Sequence, residues 1–142
     1  MTGTVKFEIM TGSSDSEGVS IIMDEEMGVE ITSENSVAVA IFKSASIRDV
    51  DAITAASKQI KEFIDEHQPN RLIFDFAGVK FFSSQVLGLL LDIRAKLGTY
   101  DGEVVISSIH PQLHRVFKIT NLDAVFRFFP DKESAIKAVN AD

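Results

Sequence analysis

From Gly28 onward, short apolar runs alternate with longer stretches whose apolar residues recur every three or four positions, and no other feature of the chain limits its fold so strongly. Apolar runs of about four to eight residues suit strands, whereas helical spacing suits a helix with one buried face. Val29 to Thr32 and Val37 to Phe42 flank the turn-rich Ser33-Glu34-Asn35-Ser36 and read as a β-hairpin. Between Val50 and Glu66, the positions of Ile53, Ala56, Ile60, Phe63 and Ile64 mark an amphipathic helix, which Pro69-Asn70 ends.

Arg71 to Asp75 follows as a central strand, Phe76 to Phe82 as a connection, and Ser83-Ser84-Gln85 opens a second helix reaching Leu97. After Gly98, the Asp101-Gly102 turn leads into a strand at Glu103 to Ser107. Pro111 to about Thr120 then reads as a third helix and Phe126 to Phe129 as a strand. Asp131 is placed to cap a last helix with Ala135, Ile136 and Val139 on its apolar side. The order β β α β α β α β α predicts an α/β fold: one domain, a mixed β-sheet and about four α-helices, because parallel neighbours need crossover connections. A chain of 142 residues with 45% hydrophobic content has the material for one core.

Residues 1–27 read differently from the domain expected over 28–142. Of the net charge of -7, the first 28 residues carry -5, from Lys6 against Glu8, Asp15, Glu17, Asp24, Glu25 and Glu26. An acidic N-terminal extension is expected there, either a mobile tail or short edge strands at Val5 to Met10 and Val19 to Met23.

Several function classes find no support. With no cysteine in the chain, thiolate catalysis and thiolate metal sites are excluded, and a reducing compartment is the expectation. The N-terminus shows no basic stretch followed by an apolar run, and Val37 to Phe42 and Val86 to Leu91 fall far short of the roughly 20 residues of a bilayer span. A cytoplasmic protein without a membrane span is therefore expected. Negative charge disfavours direct nucleic-acid binding, which relies on clustered Lys and Arg. No phosphate-binding glycine loop or nucleophile elbow is present, so neither catalysis nor a cofactor is expected. His110 and His114 stand four apart without a third ligand and read as boundary residues rather than metal ligands, and His67 as solvated. Asp75 ends its strand and is expected to accept N–H bonds from the loop that follows.

The second helix holds the candidate site. Ser83 is the natural N-cap, its hydroxyl free to accept a first-turn N–H, and Ser84 then falls in the first turn. Val86, Leu87, Leu89, Leu90, Leu91, Ile93 and Leu97 predict heavy burial, with Gly88 allowing close packing despite a helix cost of about 1 kcal/mol. A hydroxyl at a helix start suits a phosphate, because exposed N–H groups and the helix dipole favour an anion. The alternative is that both serines merely cap a buried helix. Of Phe81 and Phe82, an exposed ring near Ser84 would anchor a partner.

Arg71-Leu-Ile-Phe-Asp-Phe-Ala-Gly-Val79, Phe81-Phe82-Ser83-Ser84 and Leu87-Gly88 resemble the signature of STAS domains of the anti-sigma factor antagonist type. Gly102-Glu-Val-Val-Ile, His110-Pro-Gln-Leu-His-Arg-Val-Phe117 and Thr120-Asn-Leu-Asp-Ala-Val-Phe126 resemble its later segments. The resemblance implies a STAS-like fold and a protein-binding switch rather than an enzyme. It implies a serine-kinase anti-sigma factor, a kinase-fold ATPase, as partner, and a phosphatase that resets the switch.

It also implies that Ser84, or failing that Ser83, is the phosphoacceptor, with Phe82, Ser83, Ser84, Gln85 and Leu87 as the docking set. The family's Asp-Ser-Ser-Gly is altered: Ser83 stands for the aspartate, Gln85 for the second serine and Val86 for the glycine, which makes the loop bulkier. Two other readings stay open: a STAS scaffold or complex subunit that is never phosphorylated, and a sensor binding a small ligand or nucleotide at the second helix N-terminus.

Overall fold

The computed structural model describes residues 6–8, 19–22, 29–34 and 36–141. Strands β1 (Lys6–Glu8), β2 (Val19–Ile22), β3 (Val29–Glu34) and β4 (Val37–Phe42) precede a short β5 (Ser46–Ile47) and helix α1 (Val50–His67). Strand β6 (Arg71–Asp75), the two-residue β7 (Phe81–Phe82) and helix α2 (Ser84–Gly98) come next. Strand β8 (Glu103–Ser107), helix α3 (Pro111–Ile119), strand β9 (Arg127–Phe129) and helix α4 (Lys132–Ala141) complete the chain.

The main sheet has the order β1-β2-β3-β4-β6-β8-β9. Its first three pairings are antiparallel, and β4–β6, β6–β8 and β8–β9 are parallel, each joined by a helical crossover. The sheet is mixed, as the element order requires, and β6 is its central parallel strand. Lys6–Glu8 forms the first strand of the sheet and Val19–Ile22 lies between it and β3; the acidic Asp15, Glu17, Asp24, Glu25 and Glu26 lie outside the described residues.

Alternation along the parallel strands divides the core. Leu72 and Phe74 face the larger cluster with Ile60, Phe63, Leu90, Ile93 and Phe117, whereas Ile73 between them joins Val39, Val105, Ala135 and Val139 on the opposite side. One face thus packs against α1, α2 and α3, and the other against α4. Helix boundaries follow local signals. Asp49 caps α1, its carboxylate accepting the N–H of Asp51 and Ala52 at 2.9 and 3.3 Å. The α1 helix closes at Gln68, which is left-handed at φ 43°. Asp131 caps α4 by accepting the Ser134 N–H at 2.7 Å.

The connection from Phe76 to Phe82 is not unstructured. Its last two residues pair in parallel with Ser46–Ile47 as a separate two-stranded sheet, which no sequence signal marked because each strand is two residues long.

Candidate functional site at the start of helix α2

Three backbone bonds carry the chain into α2. Lys80 and Phe81 donate to the carbonyl of Ala45 at 2.8 and 3.1 Å, and Ser83 donates to that of Ile47 at 2.9 Å. The β5–β7 ladder thereby places the start of α2 beside the residues leading into α1. Ser83 is the N-cap residue, extended at φ -84° and ψ 164°, and Ser84 is the first helical residue, exposed at the surface.

The position of the cap was read correctly, but not its bond. Ser83 makes no side-chain cap hydrogen bond; its hydroxyl is shielded from solvent and has no hydrogen-bond partner among the described residues. No acidic residue stands in the first turn either, so α2 begins without the side-chain cap that α1 and α4 have.

The expected docking set divides. Ser84 and Gln85 are exposed. Leu87, at 8% exposure, belongs to the core, and the Phe82 ring is set edge-on against Phe76 and Phe117 at 5.9 and 6.1 Å between centroids. The exposed ring is that of Phe81, at 58%. A two-residue strand explains this, since neighbouring side chains take opposite faces and only one of two adjacent phenylalanines can enter the core. Val86 is fully buried, so the bulk it adds at the family's glycine position lies in the core and not on the loop surface.

Two further expectations for α2 are corrected. A Cβ built on Gly88 would meet nothing within 4 Å, so this glycine opens a notch at the surface and does not serve close packing. Leu91 is 37% exposed, because the helix turns it away from both α1 and the sheet.

Gly88, Gln85, Leu89, Asp92 and Lys96 form one wall of a groove of about 660 Å³ whose other wall is α1, from Val50 to Asp65. Lys61 pairs with Asp92 at 3.7 Å and Lys96 with Asp65 at 2.8 Å across it. The groove begins at Gln85 and leaves out both serines, so it is not the anion pocket at the helix start that the ligand reading expects.

At the end of β6, Asp75 is buried, at 6% exposure. It accepts the hydroxyls of Ser107 and Ser108, both at 2.7 Å on Oδ1, and the Ala77 N–H at 3.4 Å on Oδ2. The loop bond was legible from strand-end chemistry; the two serines were not, because they come from β8 and the residue after it. His110 is the N-cap of α3, His114 packs its ring on Phe128 at 4.4 Å, and exposed His67 stacks on Phe63. Among the described residues, no three His, Cys, Asp or Glu come together to hold a metal ion, and no helix is long and apolar enough to cross a membrane.

A mixed sheet, covered by three helices on one face and one on the other, with an exposed serine at the start of its most apolar helix, defines a class of small α/β domain. Residues 33–135 match the family model of the STAS domain, and the chain belongs to that family.

Solved structures share the fold. The anti-sigma factor antagonist SpoIIAA in its unphosphorylated form is 17% identical, with 98% of each chain covered and a TM-score of 0.68. An anti-sigma factor antagonist from Mycobacterium paratuberculosis is 24% identical over 79% of this chain and 92% of its own, with a TM-score of 0.69. A sulfate transporter family protein from Wolinella succinogenes is 12% identical over 75% of this chain and 87% of its own, with a TM-score of 0.63.

Proposed function

We propose that this chain is a cytoplasmic anti-sigma factor antagonist, a non-catalytic module that binds a serine-kinase anti-sigma factor and is switched by phosphorylation of Ser84. The observation that carries the reading is the exposed Ser84 hydroxyl at the first position of α2, with the exposed Phe81 ring just before it in the chain. The partner kinase transfers the γ-phosphoryl group of ATP to Ser84 Oγ; the hydroxyl proton is lost and ADP leaves. The modified side chain carries about -1.5 to -2 charge, which opposes docking of an acidic or apolar partner surface. Unphosphorylated protein docks and releases the sigma factor for transcription; a phosphatase restores that state.

The test is incubation with the anti-sigma kinases of the source organism and Mg²⁺-ATP, followed by mass spectrometry of the peptide containing Ser84. Phosphoserine at Ser84, absent from Ser84→Ala, supports the switch. An unmodified chain, under conditions that modify a control substrate, refutes it.

The altered neighbours Ser83, Gln85 and Val86, with the likeness to a transporter family protein, favour one second reading: a STAS subunit of a signalling or transport complex that never carries phosphate. It predicts partner binding that Ser84→Asp leaves unchanged.

A further inference from the structure

We propose that Arg48 holds the phosphate of phosphorylated Ser84, so that the modified serine is bound by its own chain; this rests on the Ser84 reading above and adds its intramolecular partner. In the β5–β7 ladder Ser46 stands opposite Phe81 and Ile47 opposite Phe82, and the Ser83 N–H bonded to the Ile47 carbonyl continues the register. Arg48 is the next residue, and it falls opposite Ser83, one position from Ser84. Neighbouring strands lie about 4.8 Å apart, well within the reach of an arginine side chain.

Three further observations point the same way. Arg48 is exposed and has no hydrogen bond or ion pair among the described residues, so no existing contact must break. Helix α2 has no side-chain cap and no first-turn carboxylate, which leaves its N-terminal N–H groups unanswered by any side chain. The Ser83 hydroxyl, shielded from water beside the acceptor, lacks a partner.

Among the other charges, Asp49 and Asp51 stand at the start of α1, Lys58 and Lys61 line the groove that begins at Gln85, and Lys80 precedes β7. Asp49 is engaged by the N–H groups of Asp51 and Ala52, and Lys80 comes before Phe81 and Phe82 in the chain. A guanidinium binds phosphate through two parallel N–H bonds, which a lysine cannot do.

The experiment uses full-length chain with phosphoserine installed at position 84 during translation and follows the second phosphate ionisation by ³¹P NMR. The wild-type phosphate should ionise at a pH lower by about half a unit or more than in Arg48→Gln, with Arg48→Lys between them and Lys80→Gln close to wild type. Identical titrations in wild type and Arg48→Gln overturn the proposal, as does a shift that follows Lys80 instead. Because the phosphate is installed, this result does not depend on a kinase; whether the source organism phosphorylates Ser84 is decided separately by mass spectrometry of the native protein.

Discussion

The backbone N–H of Ser83 donates to the carbonyl of Ile47 at 2.9 Å, and this bond ties the start of α2 to the strand that leads into α1. Ile47 is itself buried in the larger core cluster, so the surface that presents Ser84 hangs from a packed residue rather than from a free loop. The backbone of the site is anchored while its hydroxyl chemistry is left open.

That division separates two N-caps in a stability measurement. Asp49→Ala should lower unfolding free energy by about 1 kcal/mol, because two N–H groups lose their acceptor. Ser83→Ala should change it by less than about 0.5 kcal/mol, since the hydroxyl it removes has no bond to lose. Urea denaturation of both variants checks the contrast.

Gly88→Ala should stabilise the protein by about 0.5 to 1 kcal/mol, as expected for an interior helical glycine whose added methyl meets nothing within 4 Å. Thermal denaturation reads the gain. The same methyl fills the notch in the groove between α1 and α2, so a partner seated there would lose affinity while stability rises.

Asp75→Ala should cost about 2 to 4 kcal/mol, because it removes a charged acceptor from two hydroxyls and leaves the fully buried Ser107 without its partner. Combining it with Ser107→Ala should cost less than the sum of the single changes, since the second substitution removes the orphaned donor. A double-mutant cycle in urea tests this.

Asp131 makes a prediction with pH. The backbone N–H of Ser134, and then its side chain, hold this carboxyl below the usual carboxylate range. A depressed native value contributes stability that is present above the unfolded value of about 3.9 and lost as pH falls through the native one. The advantage of wild type over Asp131→Ala should therefore be constant near neutrality and shrink only below about pH 4. Melting temperatures measured from pH 7 to pH 2 would show it.

Local chemistry explains which parts of this molecule were readable in advance. The helix from Val50 to His67 announced itself through the spacing of Ile53, Ala56, Ile60, Phe63 and Ile64, all of which are buried. Asp131 and the serine pair marked helix starts because capping involves residues within one turn. The β5–β7 pairing was illegible, since two-residue strands have no period and the bonds join segments more than thirty residues apart. Gly88 misled for a related reason: a glycine lacks a side chain whether its surroundings are tight or open.

By itself the sequence determined the order of strands and helices from Val29 apart from β5 and β7, the apolar face of α1, the depth of α2 and the location of a serine at that helix start, because all of these rest on periodicity and near-neighbour bonds. Tertiary structure alone decided that Phe81 and not Phe82 faces solvent, that the Ser83 hydroxyl goes without a partner among the described residues, that Asp75 collects two hydroxyls from the end of β8, and that Arg48 falls opposite Ser83. Each of these depends on which distant segment lies alongside, and that is set by how the whole core packs.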